Sequence, residues 1–434
     1  MKSQSWSWVS RVKSFIKDEF YPAFKHARGI NSRSDYAKCL FGPIFHLIEK
    51  QVFALPYFIK KIPVNLRPKY IMEMLSVNGA KFFATDYESF ESLFTEELMG
   101  ACEFQLYDFM TGDLPEFKLF SSYVHDMLGG ENQCDFYAFR LFLTARRMSG
   151  EMCTSLGNSF SNLMFQLFVA EECKCRCECV IEGDDGLGYI YVLAGGRLPT
   201  AKDYERLGLR IKLEYHDELT TASFCGLIFD PEELINVAEP LEKICRLGWT
   251  SRRYTHAREK RLKSLLRSKA LSMWYEYRGC PLLSALATRI LYLTKSYSVE
   301  SIINSKNTTT YERNRLTMAL SQFNLATSYE EASPGPRTRL LFEKQFDISV
   351  SLQIQIESYM RNLTSVEPID LGRFAIKMPT DWEDYAKSYL YSIPPHRCND
   401  PPLCWNTSMR YREAFDEVDP EWIPYIHPRT TSCR

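Results

Sequence analysis

The sequence predicts an α+β fold built in several packed regions, and three observations carry that expectation. Up to about Asp230, short apolar runs bounded by turn residues alternate with stretches of helical periodicity. Beyond Pro231, long helical stretches take over and strand signals become few. A chain of 434 residues is also long enough to bury more than one hydrophobic core. Composition excludes other classes: at 45% hydrophobic and 25% charged, the chain is neither collagen-like, low-complexity nor disordered. A formal charge of -1 excludes a uniformly cationic nucleic-acid coat protein but is compatible with a basic channel balanced by an acidic exterior. No apolar run has membrane-spanning length, and charges interrupt the opening MKSQSWSWVSRVKSFIKDEF, so no signal peptide is read there. A cytosol-like compartment is expected, and with it free thiols rather than a disulfide framework for the 14 cysteines.

Taken in order, Trp8, Val12, Phe15 and Ile16 fall near helical spacing and predict an amphipathic helix that packs on the body or lies on a membrane surface. The basic stretch KHARGINSRSDYAK reads as strand or loop, and a helix follows through PIFHLIEKQVFAL. From Ala80 to Asp86 an apolar, aromatic run reads as a buried strand, so Asp86 stands at a strand's end; ESFESLFTEELMGACEFQLYDFM then has helical periodicity. Gly112, Pro115 and the Gly129-Gly130 pair mark an irregular segment before a strand in DFYAFRLFLTARR. Ser149-Gly150 opens a helix running to about Glu171. The runs CECVIE and LGYIYVLA flank Gly183-Asp184-Asp185-Gly186, the turn chemistry of a hairpin tip. Another helix and a strand pair, LRIKLEYHD and ASFCGLIFD, complete the mixed region. Among the later helices, Ser333 to Pro336 marks a break, and Pro394-Pro395 with Pro401-Pro402 punctuates a C-terminal wrap or tail.

The Gly183-Asp184-Asp185 turn pushes two carboxylates out of a sheet at one point, which suits a hard cation such as Mg²⁺. Taken alone it is equally an ordinary polar hairpin tip. If the strand ending in Asp86 is a neighbour in the same sheet, its carboxylate can meet Asp184 at a shared two-metal site. Between them runs Ser149-Gly150-Glu151-Met152-Cys153-Thr154-Ser155-Leu156-Gly157-Asn158-Ser159; Thr154 and Asn158, four apart, would share a helix face with Gly150 and offer polar groups to a sugar. The same run also reads as a plain helix start.

In this order the three segments resemble motifs A, B and C of the RNA-dependent RNA polymerases of positive-strand RNA viruses, most closely the tombusvirus-like and nodavirus-like enzymes. Thr85 to Glu91 matches motif A, an aspartate followed five positions later by a second acid; Ser149 to Ser159 fits motif B; and Gly183-Asp184-Asp185 fits motif C. The likeness extends over roughly residues 20–300. It implies a right-hand fold: an N-terminal helix and fingers with motif F over 1–79, palm over 80–110, a fingers insertion over 111–147, palm with motifs B to E over 148–230, a helical thumb over 231–390 and the wrap or tail over 391–434. Asp86 and Asp184 would be the main Mg²⁺ ligands, with Asp185 assisting and Mn²⁺ as a substitute ion. A primer 3′-hydroxyl would attack the α-phosphate of a ribonucleoside triphosphate opposite an RNA template, releasing pyrophosphate.

By the same resemblance, Ser149, Gly150, Thr154 and Asn158 bind the nucleotide, and Asn158 with Glu91 senses the ribose 2′-hydroxyl; the family commonly has Asp where this chain has Glu91. Lys25, Arg28, Ile30 and Arg33-Ser34, then Tyr36 and Gly42-Pro43, resemble motif F, which supplies the cations a triphosphate needs. Lys212 falls in the motif D region as a proton donor to pyrophosphate, and Phe224-Cys225-Gly226 resembles the motif E turn that steadies the primer. Eight cations from Arg252 to Lys269, led by Arg252, Arg253 and Arg258, oppose Glu259 alone and are suited to tracking RNA phosphates; with Gly279-Cys280-Pro281 they resemble an early thumb. Motif F begins close to Met1, which predicts a processed or segmented product, or a partner that closes the channel. The implied partners are RNA template and primer or nascent strand, ribonucleoside triphosphates and other viral replicase proteins, at membrane-associated replication complexes in host cytoplasm with indirect membrane contact.

Cys173, Cys175, Cys177 and Cys179 alternate too regularly for zinc: same-face neighbours on a strand stand roughly 6.5–7 Å apart, too far to surround one ion. They are expected to line one buried face of the strand leading to Asp184. His396, Cys398 and Cys404 are too irregular for a metal site. The competing readings are a reverse transcriptase, against which Gly183 and Asn158 speak, and a noncatalytic RNA-binding replicase scaffold, against which the acids at 86, 184 and 185 speak.

Overall fold

Among the described residues, eight strands in two sheets organise the chain as far as His216: β1 (Arg11–Ile16), β2 (Gly29–Arg33), β3 (Lys81–Tyr87), β4 (Glu131–Asp135), β5 (Arg140–Thr144), β6 (Cys175–Glu182), β7 (Asp185–Val192) and β8 (Ile211–His216). The computed structural model describes residues 7–17, 19, 26–250, 254, 257–325, 329, 331–366 and 369–376. The described residues from Ser7 to Ala375 form one compact unit of α+β class. One sheet has the order β2-β1-β4-β5, in which only β1 and β4 run parallel; the other, β6-β7-β3-β8, is antiparallel throughout. Strands β1 and β2 thus share a sheet with β4 and β5 although about 100 residues of sequence separate β2 from β4.

The opening segment corrects the expectation of an amphipathic helix. Only Ser7–Ser10 is helical; Arg11–Ile16 is a strand whose Val12 and Ser14 point inward while Phe15 and Ile16 are exposed. Pairing to β2 on one edge and β4 on the other overrides the helical spacing of those side chains. The next helix, Asp35–Val52, starts earlier than expected because Ser34 Oγ accepts from the Ala37 amide, and it runs through Pro43. Its Ala37, Phe41, Phe45, Ile48 and Val52 form one buried stripe. Tyr36 and Gly42-Pro43, expected in motif F, therefore lie within this helix. Residues 117–129, read as irregular, form a helix that buries Phe120, Val124 and Met127, and Gly129 closes it. The helical stretch after Asp86 is broken into a short 3-10 turn at Phe90–Leu93 and helices Glu96–Ala101 and Glu103–Thr111. ASFCGLIFD forms no strand, only bridges of Phe224 to Leu227 and Ile228 to Val237.

Each face of the second sheet is covered. Phe83 and Tyr87 of β3, with Cys179 and Ile181 of β6, pack against Leu156, Leu163 and Val169 of helix Thr154–Glu172. Cys175 and Cys179 are buried on this face as expected, and Cys177 is partly buried; every described cysteine is free. On the other face Phe82, Ala84, Val180 and Leu187 pack with Ile71 and Leu75 of helix Arg67–Leu75 and with Phe224. A fully buried side chain of this size contributes about 1.5–3 kcal/mol, so both layers hold the sheet firmly.

From Pro240 onward the described elements are helices, chiefly Pro240–Leu247, Glu259–Glu276, Leu283–Leu293, Thr310–Leu325, Pro336–Phe346 and Val350–Arg361. Pro336 begins its helix at the expected break. Asn236 ties this region to the earlier chain, donating to the carbonyls of Val64 at 2.8 Å and Glu276 at 3.1 Å. No helix among the described residues is long and apolar enough to cross a membrane. The C-terminal wrap or tail and His396, Cys398 and Cys404 lie outside the described residues.

Candidate active site

Strand register brings the acids together. On the β6–β7 hairpin Glu182 pairs with Asp185, leaving Gly183 and Asp184 as a two-residue turn in which Gly183 takes φ +68°. On β3, Thr85 pairs with Gly186, so Asp86 stands beside Asp185 one step further along; on its other side Asp86 pairs with Lys212 of β8. Glu182, Asp185, Asp86 and Lys212 therefore form one row across four strands about 5 Å apart, with Asp184 in the turn beyond. Gly186 and Gly188 permit this close packing: a Cβ on the first would meet Thr85 Oγ1 at 2.6 Å, and on the second the Glu178 carbonyl at 2.5 Å.

Electrostatics reflect the convergence. Burial raises the Asp184 carboxyl above its ordinary range against a backbone hydrogen bond that lowers it; the charges of Glu91 and Asp86 add to the rise, and Arg28 opposes it. Burial likewise pushes Asp185 up to about 6, helped by Asp184, Asp86 and Glu182 and opposed by a hydrogen bond from Cys225. Arg67 forks onto Glu182 at 2.5 and 3.0 Å and anchors the strand end behind the turn.

The turn is gripped from helix Thr154–Glu172 by Ser159, the last residue of the motif B run, and by Asn162, which the sequence reading did not single out. Ser159 Oγ accepts from the Gly183 amide at 2.9 Å, and Asn162 Nδ2 points at the carbonyls of Gly183, Asp184 and Asp185 at 3.2, 2.9 and 3.3 Å. Asn162 Oδ1 accepts from Gln166, which donates also to Tyr87 and accepts from Tyr204. The signal was present as Asn158, Asn162 and Gln166 at four-residue spacing along one face of the helix.

Asn158 is buried, and its Nδ2 donates to Glu91 Oε1 at 3.2 Å, so the longer arm of Glu91 still reaches the expected partner. Gly150 has φ +90°, and a Cβ there would press on Ile30 and Asn31 of β2, while the Ser149 carbonyl accepts from the Asn31 amide. The helix begins only at Thr154, so Gly150 lies in the preceding loop and the shared helix face of Gly150, Thr154 and Asn158 does not form. Thr154 Oγ1 donates to the Met148 carbonyl and closes that loop instead of facing the acids.

The basic groups divide. Arg28 precedes β2, is half-exposed and lies close enough to act on Asp184; Lys25 lies outside the described residues. Arg33 does not fit the role of a phosphate ligand: it is buried, its Nε donates to Glu151, and its two other nitrogens donate to Asn132 and the carbonyls of Val9 and Met127. Lys212 is exposed beside Glu214 at 2.9 Å, which holds its pKa up. Phe224 and Leu227 bond each other across a two-residue turn in which Cys225 and Gly226 take φ +53° and +73°, with Phe224 buried and Cys225 Sγ 3.5 Å from Glu182. The run from Arg252 to Lys269 is not one phosphate-facing patch. Arg252 and Arg253 lie outside the described residues, and Arg258 and Lys260 are exposed. Arg261 donates to Ser301, Lys263 pairs with Glu259, Arg267 is buried on the Leu291 carbonyl and Lys269 donates to Arg246 and Trp249.

Partly buried, converging carboxylates fit a hard divalent cation. Among the described residues no group of three or more His, Cys, Asp or Glu side chains is arranged to hold an ion by itself. Mg²⁺ held by one or two carboxylates commonly takes its remaining ligands from water or from phosphate oxygens. In comparisons with known proteins, no family model matches the chain, and no curated protein matches it.

Proposed function

We propose that this chain is a template-directed RNA polymerase of viral replication, joining ribonucleotides by two-metal nucleotidyl transfer on a right-hand fold of fingers, palm and thumb. The observation that carries the reading is the row of Asp185 and Asp86 below the Asp184 turn, next to the Asn158–Glu91 contact. A carboxylate cluster and a sugar-sized polar pair at one sheet end match the two parts of a nucleotide that such an enzyme must handle.

Asp86 and Asp184, with Asp185 beside them, are the residues that would hold Mg²⁺, which when bound stabilises the attacking and leaving oxygens of an in-line displacement. In that displacement the primer 3′-hydroxyl attacks the α-phosphorus and pyrophosphate leaves. Asn158 presents N–H donors and Glu91 presents acceptor oxygens, a match for a 2′-hydroxyl that both donates and accepts. A deoxyribose would leave these groups unmatched, which is how polar sites reject analogues lacking a hydroxyl. Arg28 brings positive charge to the triphosphate, and protonated Lys212, in the row with Asp86, is available to the leaving pyrophosphate.

The test is primer extension on an RNA template, with ribonucleotides or deoxyribonucleotides, by the parent protein and by Asp184→Ala. Ribonucleotide extension by the parent and none above background by Asp184→Ala is expected. Equal extension by both proteins would contradict the reading. Extension with deoxyribonucleotides only would favour a reverse transcriptase, and RNA binding without extension a scaffold.

A further inference from the structure

Beneath the Asn158–Glu91 pair lies a buried ion pair to which no role has yet been given. Arg147 and Glu103 are 4% and 2% exposed in their side chains and approach to 2.6 Å. That approach is not aligned as a hydrogen bond, since Glu103 Oε1 has no hydrogen-bond partner; charge and surroundings hold it. The guanidinium lies over the Phe94 ring at 3.5 Å, and Tyr107 donates to Glu103 Oε2 at 3.1 Å. From this fixed position Arg147 Nη1 donates to Asn158 Oδ1 at 2.9 Å and Nη2 to Ser161 at 3.3 Å.

An asparagine amide can turn over, exchanging its oxygen and nitrogen, at little cost unless a neighbour decides between them. Arg147 decides, because a guanidinium only donates: it holds the carbonyl oxygen of Asn158 inward and leaves Nδ2 facing Glu91. Gly157 belongs to the same device, since a Cβ there would collide with Glu103 Oε2 and press on the Arg147 guanidinium.

We infer that Arg147, locked by Glu103, is a positioning residue for sugar selectivity: it sets the orientation of the Asn158 amide and through it the preference for a ribonucleoside over a deoxyribonucleoside triphosphate. The inference rests on the proposed polymerase reading. Arg147 touches no substrate in this account.

The test compares kcat and KM for ribonucleotide and deoxyribonucleotide incorporation by the parent, by Arg147→Gln/Glu103→Gln and by Arg147→Lys, with thermal melting as a check on folding. The double variant removes both buried charges together, so neither is left unpaired, and Gln at 147 can donate or accept, releasing the amide. Its ribonucleotide KM rises and the ribo-to-deoxy ratio of kcat/KM falls by about tenfold or more, the scale of a lost hydrogen bond to a charged group. Deoxyribonucleotide kinetics change little. Arg147→Lys keeps the pair with Glu103 but cannot fork to both Asn158 and Ser161, and loses a smaller part of the ratio. If either folded variant keeps the parent ratio, the inference is overturned while the polymerase reading stands. A parent that extends with neither nucleotide overturns both, and one that uses the two equally overturns the inference alone.

Discussion

Asp185 illustrates how a residue is set by its surroundings. Burial and neighbouring acids hold it at about 6 in the folded chain, against an ordinary carboxylate value of 3.8. Between those values the folded protein binds more protons than the unfolded one, so stability falls as pH rises through this window and levels off above it. In chelator, Asp185→Asn therefore stabilises the protein by about 1–3 kcal/mol at pH 7.5, and the gain vanishes near pH 4. Melting curves at the two pH values check this; an equal effect at both would show that the acid is not under the strain assigned to it. Asn162 acts in the opposite sense. Its single Nδ2 serves three carbonyls of the turn, so Asn162→Ala costs about 1–3 kcal/mol of stability and lowers kcat more than it changes KM. At this scale the placement of Asp86, Asp184 and Asp185 was legible, because a strand end and a Gly-Asp-Asp turn are local features. Arg33 was not: its partners Glu151 and Asn132 are 118 and 99 positions away, and only folding reveals that a basic motif residue is a buried tie. Thr154 misled for a similar reason, since its hydroxyl is engaged by a loop whose shape no spacing shows.

The elements that carry the site are held by close backbone approach. Gly188 lies where β7 meets both β6 and β3, and a Cβ there would press on the Glu178 carbonyl at 2.5 Å and the Phe83 ring at 2.6 Å. Neither neighbour is the free end of a flexible chain, so Gly188→Ala costs about 1–3 kcal/mol and loosens the hairpin that presents Asp184. Denaturant unfolding measures the cost, and an unchanged midpoint would contradict the register. The β6–β7 hairpin and β3 could be read ahead of the structure because apolar runs bounded by turn residues are their own signal. Strand β1 could not. Val12, Phe15 and Ile16 fit a helix by spacing, and the strand wins through its long-range pairing of Val12 with Cys134, which no local pattern encodes. The helix Phe117–Gly129 was hidden by the glycines at its end and Gly112 and Pro115 before it, which read as a loop although its buried stripe is regular.

At the scale of the whole molecule, polar ties between the mixed region and the helical region include Asp230 with Arg337 and Asn236 with the Val64 and Glu276 carbonyls. The compositional change near Pro231 was legible, yet the division of labour within the basic run beyond it was not. Of its described cations, Arg267 and Lys269 serve packing, and Arg258 remains outward. On the proposed polymerase reading, the salt dependence of RNA binding separates these roles. Arg258→Ala reduces the slope of log affinity against log salt by about 1 without altering the melting temperature, whereas Arg267→Ala lowers the melting temperature and leaves the slope of the folded protein unchanged. Equal slopes for Arg258→Ala and the parent would remove Arg258 from the RNA path.

Whether Asp86 and Asp184 share one cation, as proposed, is decided by anomalous diffraction from crystals soaked with Mn²⁺ and a non-hydrolysable ribonucleoside triphosphate. The expected result is a manganese peak bonded to carboxylate oxygens of both residues and to the triphosphate. A peak bound elsewhere, or the triphosphate seated away from the β6–β7 turn, would contradict it.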